Sequence, residues 1–346
     1  MQRLSVLVPV YNERDTLPVF HDRLLTVLDT LDLTSDVLYV DDGSEDGSSA
    51  WLDTQAREDP RTGVLRLSRN FGKEIAMSAG LDHVDSDAVV IIDADLQDPP
   101  ELITEFVERW REGFDVVYGK RESREGETRL KRLSASVFYR VLDRLSDVPI
   151  PRDTGDYRLL SRRAVDALRG LRERHRYMKG LFAWIGYPQV AVPYHREARD
   201  AGRSKWSYWR LWNYALEGIT SFSAAPLKLA TYLGLLTSVA SFSYGLYFLV
   251  RTLLLGNPVP GYPSLIVIML FLGGVQLVCL GIIGEYLART YNESKARALY
   301  YVMDFRPASL GRGENDGRQE GDQEGPLVTR QREQGVGQHD ITTPHD

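Results

Sequence analysis

The chain has 346 residues, enough for one large domain or two smaller ones. Its 42 Lys and Arg against 48 Asp and Glu leave a net charge of −6, which excludes a general nucleic-acid binder held by a basic surface. A single cysteine excludes a disulfide framework or a cysteine-based metal cluster, and the six histidines show no paired spacing for zinc.

The first apolar run, Arg3 to Val10, reads as a strand. No basic segment and apolar stretch precede it, so no signal peptide is expected and this part should stay in the cytoplasm. Further strand-like runs are Asp36 to Asp42, Val64 to Leu67, Ala88 to Asp93 and Asp115 to Gly119. Helical patterns lie between them, near Thr16 to Leu31, Gly72 to Val84 and Pro100 to Arg111. Strands rich in Val, Ile and Leu that alternate with helices predict an α/β fold with a mainly parallel sheet, buried on both faces. No repeat of fixed period is visible.

The mean hydropathy of −0.27 hides a late concentration of apolar residues. Leu229 to Val250 runs 22 residues without a charge, and Ser264 to Ile283 runs 20. About 20 helical residues cross a hydrocarbon core of roughly 30 Å. A buried helical hairpin is the alternative, but uncharged helices of this length favour two transmembrane spans. The link from Arg251 to Pro263 carries one basic residue, whereas Arg203, Lys205, Arg210 and Lys228 flank one side and Arg289, Lys295 and Arg297 the other. That asymmetry places both flanks, and so both termini, in the cytoplasm. Lys205 to Tyr214 mixes basic and aromatic residues, as an interfacial helix does. From about Ser309 the composition turns to Gly, Gln, Arg, Glu and Asp, and a disordered tail is expected. The expected organisation is a catalytic domain with interfacial helices over 1–225, a transmembrane hairpin over 226–288, a juxtamembrane segment over 289–308 and a tail over 309–346.

The segment from Val90 to Asp98 ends an apolar strand abruptly in carboxylates, Asp93 and Asp95. Ligands of open α/β sheets bind at the carboxyl ends of strands, and two such carboxylates suit Mg²⁺ or Mn²⁺. A short D-x-D also arises by chance in loops. A second strand end carries Val40-Asp41-Asp42-Gly43-Ser44, where a carboxylate accepts from a nucleobase or ribose, or caps a turn. The first strand ends in Pro9-Val10-Tyr11-Asn12-Glu13. Such ends on one edge make a nucleotide crevice, while dinucleotide and P-loop fingerprints are absent.

These segments, with Asn70-Phe71-Gly72-Lys73-Glu74, Asp153-Thr154-Gly155-Asp156-Tyr157-Arg158, Gly202-Arg203-Ser204-Lys205-Trp206 and Ile283-Gly284-Glu285-Tyr286-Leu287, resemble family 2 glycosyltransferases of GT-A fold. The similarity is greatest to the polyprenyl-phosphate glycosyltransferases, which include dolichyl-phosphate mannose synthases and bactoprenol glucosyltransferases. It covers roughly residues 3 to 302.

The resemblance implies roles. Pro9, Tyr11, Glu13, Val40 and Asp42 would hold the nucleobase and ribose, and Asp93 with Ala94 would face the nucleotide. Asp95 and Gln97 would hold Mg²⁺ or Mn²⁺; the uncharged Gln97 suits an ion that already carries a diphosphate. Arg121 would lie near phosphate, and Arg203 and Lys205 would close over the diphosphate. Lys131 and Arg132 would meet the acceptor phosphate, or else form a solvated helix face. Asp156 would be the base or an orienting group, or else a structural carboxylate paired with Arg158. The implied reaction moves a sugar, UDP-glucose being the leading donor, to undecaprenyl phosphate with inversion, at the inner or plasma membrane and in a homo-oligomer. GDP-mannose-dependent transfer and UDP-aminoarabinose-type transfer are alternatives. A processive polysaccharide synthase would need a Q-x-x-R-W signature, which is absent. A nucleotide-sugar sensor would lack the metal carboxylates.

Overall fold

The computed structural model describes residues 2–121, 154–174, 176–194, 225–255 and 261–309. Lys131, Arg132, Arg203, Lys205, the expected interfacial helix and the expected tail lie outside them.

Four strands form the parallel half of the sheet: β1 (Arg3–Val10), β2 (Thr34–Asp41), β3 (Thr62–Leu67) and β4 (Ala88–Ile91). Helices α1 (Leu17–Leu28), α2 (Ser48–Glu58) and α3 (Lys73–His83) connect them. After α4 (Leu102–Arg111) come β5 (Val116–Arg121), β6 (Thr154–Ser161), α5 (Arg162–Gly170), α6 (Met178–Trp184) and β7 (Gln189–Tyr194). Two long helices follow, α7 (Ala225–Leu255) and α8 (Tyr262–Ser294), and then β8 (Val302–Arg306). The strand order across the sheet is β7-β5-β6-β4-β1-β2-β3-β8. Only β6 and β8 run antiparallel to their neighbours.

The apolar runs are continuous because both faces of the sheet are covered. In β1, Leu4, Val6, Val8 and Val10 enter the core shared with α1 and α4, where they meet Phe20, Leu24, Ile103 and Phe106. Leu7 points the other way, into the core with Ala76, Met77 and Leu81 of α3 and Leu181 of α6. Residues in β2 and β4 divide in the same alternation. A strand side chain alternates between faces, so two apolar layers need a run with no polar gaps.

Helix α1 buries Leu17, Phe20, His21, Leu24, Val27 and Leu28, the spacing of one helical face, and has a proline in its first turn. It stops three residues before the Leu31 read from the sequence. The N-cap of α5 is Ser161, whose hydroxyl accepts the Ala164 N–H at 3.3 Å.

The two late helices are long and apolar enough to cross a membrane, over Leu227–Leu255 and Val267–Ser294, and neither is buried against the rest of the protein. That removes the alternative of a core hairpin. A hydrocarbon surrounding would suit side chains as apolar and exposed as Phe242, Leu254 and Leu270. The two helices pack on each other; the Cys279 thiol reaches the Ala230 carbonyl at 3.6 Å. Both extend past the uncharged runs, and Arg251 lies inside α7.

The segment read as juxtamembrane rejoins the sheet. Beyond α8 the chain returns as β8, paired with β3. Tyr300 donates its hydroxyl proton to Asp82 at 2.8 Å, the Ser68 N–H donates to the Tyr301 carbonyl at 2.9 Å, and the Arg174 N–H donates to Glu293 at 2.7 Å. No apolar periodicity marks this strand, because all five of its residues are exposed. Its signal is backbone pairing, which a sequence does not display.

Candidate active site

Parallel strands deliver their carboxyl ends to one edge, so the residues after Val10, Asp41 and Ile91 converge. The antiparallel β6 delivers its beginning to the same edge: Ile91 pairs with Arg158, two residues after Asp156. Thr154 pairs with Lys120, which brings Arg121 there as well.

The loops after β1 and β2 are sewn together. The Asn12 N–H donates to Ser44 Oγ at 3.1 Å, and the Glu45 N–H returns a bond to Asn12 Oδ1 at 2.8 Å. The Glu13 N–H donates to Ser48 Oγ at 3.1 Å. Asn12 has φ 56°, a left-handed conformation that asparagine tolerates. Tyr11 is left with its ring 46% exposed at the edge of the crevice. Pro9 lies within β1 opposite Val40. Val40 and Ala94 are buried in the core, so neither has a side chain to offer a ligand.

Asp42 plays a part that the sequence did not indicate. Its two carboxylate oxygens accept the N–H groups of Phe71 and Gly72, at 2.7 and 2.8 Å. It thereby ties the end of β2 to the loop that opens α3. Burial raises its carboxyl above the ordinary range, against those two hydrogen bonds. Gly43 sits where a Cβ would come within 2.7 Å of the Arg69 backbone, so the two loops meet this closely only with glycine there. Asp41, beside it, accepts the Ser44 N–H at 2.9 Å and a bond from the Ser49 hydroxyl.

Lys73 opens α3 and stands at the centre of the site. Its ammonium donates to Asp93 Oδ2 at 2.8 Å and to Asp156 Oδ2 at 2.6 Å. It thus bridges the end of β4 and the start of β6, distant from each other in the chain. Burial alone would lower its pKa, but the two carboxylates outweigh burial and raise it. Burial pushes Asp156 upward, and Lys73, with help from Lys179 and Arg158, more than reverses this and holds the carboxyl at about 2. Arg158 does not pair with the Asp156 side chain. Its guanidinium donates to the Gly155 and Asp156 backbone carbonyls at 2.8 and 3.3 Å and lies 3.7 Å from the centre of the Phe182 ring. The pairing named from sequence is therefore corrected: the partner of the Asp156 carboxylate is Lys73. Buried Arg158 has its pKa lowered to about 10 by desolvation.

Past β4 the backbone turns sharply. Leu96 has φ 58°, unusual for a bulky residue and costing about 1 kcal/mol or more. The turn lets the Gln97 N–H donate to Asp95 Oδ1 at 3.1 Å. Two residues on, Asp98 accepts the Tyr194 hydroxyl, and that hydroxyl accepts Arg121 Nε–H at 3.3 Å. Arg121 lies across Gly155, where a Cβ would stand 2.8 Å from its Nη2. Glycine is what admits the guanidinium.

The donor set can be tested against Mg²⁺ or Mn²⁺. Among the described residues no three His, Cys, Asp or Glu side chains form a metal cage. The Gln97 side-chain amide makes no hydrogen bond among the described residues, and Asp93 is engaged by Lys73. One or two hard oxygens, with the remainder from water and phosphate, is how Mg²⁺ is usually held. The residues fit an ion that enters with a diphosphate and do not fit a resident ion in a protein cage.

Sequence reading placed Asp93, Asp95, Gln97, Arg121 and Asp156 as candidates, and the structure gathers their segments on one edge. It missed Lys73 as the bridge, although the motif containing it was visible. It also missed Glu74 and Lys179, which carry no signal beyond their type.

Carboxylates and cations concentrated at the carboxyl ends of parallel strands are what a phosphorylated ligand requires. Residues 5–169 match the family model Glycosyl transferase family 2, and residues 225–290 match the GtrB C-terminal hairpin. A bactoprenol glucosyl transferase of Shigella phage SfV is 45% identical over 302 residues, 87% of this chain and 98% of that one. An uncharacterized glycosyltransferase of Synechocystis is 52% identical over 302 residues, 87% of this chain and 95% of that one. A solved glucosyl-3-phosphoglycerate synthase from Mycobacterium tuberculosis, in complex with Mn²⁺, uridine diphosphate and phosphoglyceric acid, is 22% identical with a TM-score of 0.45. That match covers 63% of this chain and 76% of the other. The chain belongs to glycosyltransferase family 2, and it is a transferase whose two late apolar helices fit a membrane protein.

Proposed function

We propose that the protein transfers glucose from UDP-glucose to undecaprenyl phosphate, with inversion, at the cytoplasmic face of the inner or plasma membrane. The observation that carries this reading is one chain combining a charged crevice with two apolar helices that nothing in the protein buries. The crevice suits a water-soluble donor. The hairpin keeps it where a lipid acceptor presents its phosphate. Relatives named bactoprenol glucosyl transferase, 45% identical over most of the chain, support the acceptor and the sugar.

In this reading Tyr11, Glu13 and the loops that Asp42 secures hold the nucleoside. Asp95 and Gln97 hold Mg²⁺ or Mn²⁺, which when bound supplies positive charge to the departing diphosphate. Arg121 adds charge stabilisation from the β5 end. Arg203 and Lys205 close over the diphosphate, and Lys131 and Arg132 meet the acceptor. The attacking atom is a phosphate oxygen, already largely ionised because its second pKa is about 6. No strong base is needed. A carboxylate held at about 2 is a weak base, so Asp156 serves to orient rather than to take a proton.

The test is a screen of radiolabelled nucleotide sugars with the purified protein and undecaprenyl phosphate. UDP-glucose is expected to give the most labelled lipid. Preference for GDP-mannose would sink the donor assignment, and no transfer to lipid from any donor would sink the function.

Topology gives a separate expectation. The basic flanks of the hairpin put both termini in the cytoplasm. A cysteine at Asn257, in the link, should react with an impermeant thiol reagent in intact cells, and one in the tail should not. The native Cys279 lies within a span and is the background to subtract. The reverse pattern would overturn the orientation.

A further inference from the structure

Helix α6 is fastened to the site from two directions. The Met178 N–H donates to Glu74 Oε2 at 2.7 Å, next to Lys73, and Phe182 stacks under the Arg158 guanidinium of β6. Between these fastenings stands Lys179, half-buried, with no hydrogen bond or ion pair among the described residues. Beside it one oxygen of Asp156, Oδ1, is also buried without a hydrogen-bond partner. The other oxygen is held by Lys73.

We propose that Lys179 is a binding residue for the phosphate monoester of the acceptor. This rests on the lipid-phosphate reading of the function and adds to it a residue on an element not otherwise assigned to the site. Lys179 lies within electrostatic reach of Asp156, Arg121, Lys73 and Arg158. Lys179, Lys73, Arg121 and Arg158 face the carboxylates of Asp93, Asp98 and Asp156, a surplus of one positive charge before Glu74 is counted. Burial, with the nearby Asp156 charge, raises the Glu74 carboxyl to about 7, so it cancels only part of that surplus. A half-buried ammonium with no partner among the described residues favours an anionic ligand. A phosphate monoester, with between one and two negative charges near neutral pH, balances it. Lys73 is already occupied by two carboxylates, whereas Lys179 has no hydrogen bond or ion pair among the described residues. Phe182, one helical turn on from Lys179, lies against Arg158 of β6, and the Asp156 charge acts on Lys179, so Lys179 stands on the β6 side of the site. We assign the acceptor phosphate to that side, with Arg121 between it and the donor diphosphate.

The test compares wild type, Lys179→Gln and Lys179→Arg in detergent, with independent titrations of UDP-glucose and a short-chain isoprenyl monophosphate. UDP binding is read separately by calorimetry, which also reports that each variant is folded. Lys179→Gln is expected to raise the Michaelis constant for the lipid phosphate roughly ten- to hundredfold. UDP affinity and the Michaelis constant for the donor should change less than about twofold. Lys179→Arg should recover a large part of the lipid affinity, because it keeps the charge. Unchanged lipid kinetics in Lys179→Gln, or a loss confined to UDP binding, would overturn the assignment. So would a Gln variant that no longer binds UDP together with an Arg variant whose lipid kinetics match no charge effect. If wild type transfers nothing to lipid phosphate, the functional reading fails first and this assignment with it.

Discussion

Asp95→Asn is expected to leave the fold intact and to reduce turnover by about two to three orders of magnitude. The carboxylate lies after β4, in the turn where Leu96 takes a left-handed backbone conformation and the Gln97 N–H bonds to Oδ1. Asparagine keeps the shape and an oxygen for that hydrogen bond, so the melting temperature should move little. What it loses is the negative charge that a hard dication needs. EDTA should do to wild type what the substitution does, and added Mn²⁺ should restore wild type but not the variant. Full turnover by Asp95→Asn in metal-free buffer would remove the ion from this site.

The second large effect is expected from Lys73→Met. The lysine joins Asp93 to Asp156, and without it two carboxylates face each other at the mouth of the crevice. Turnover should fall about a hundredfold, since both strand ends lose their charge-assisted anchor. The loss of stability should be smaller. The Lys73 side chain is 41% exposed, so water screens the bridge, and about 1–2 kcal/mol is expected instead of the 3–5 of a fully buried pair. The effect has a pH signature. Asp156 is held at about 2 in the folded protein, below the 3.8 of a free aspartate. As pH falls, the unfolded chain takes up this proton first. The stabilisation is thus fully present above about pH 4 and is lost as pH drops toward 2. In Lys73→Met the carboxyl rises, because burial is less opposed, and the acid decline of the melting temperature should begin at higher pH. The double variant with Asp156→Asn measures the coupling. Strict additivity of the two substitutions, in turnover and in melting temperature, would show that the bridge does not operate.

Much of this protein was legible in its sequence because the signals are local. Buried parallel strands require continuous apolar runs, and β1 to β5 announce themselves in that way. A helix suited to cross a bilayer must be apolar all round, and the uncharged runs Leu229 to Val250 of α7 and Ser264 to Ile283 of α8 are. Carboxylates that end an apolar strand, as Asp93 and Asp95 do, mark an edge where ligands bind in any open sheet. Other features depend on which distant segments meet. Strand β6 enters between β4 and β5, and only that insertion brings Asp156 to Asp93. Its true partner is Lys73, although Arg158, two residues away, was the neighbour the sequence offered. Asp42, read as a ligand for a nucleoside or a cap, spends both oxygens on the backbone of Phe71 and Gly72. Strand β8 has no buried face and is held by backbone hydrogen bonds that are the same for every residue type. Composition records what each residue would bury. Which charge finds which partner is decided by strand order, and a charged side chain reads the same in sequence whatever it is paired with.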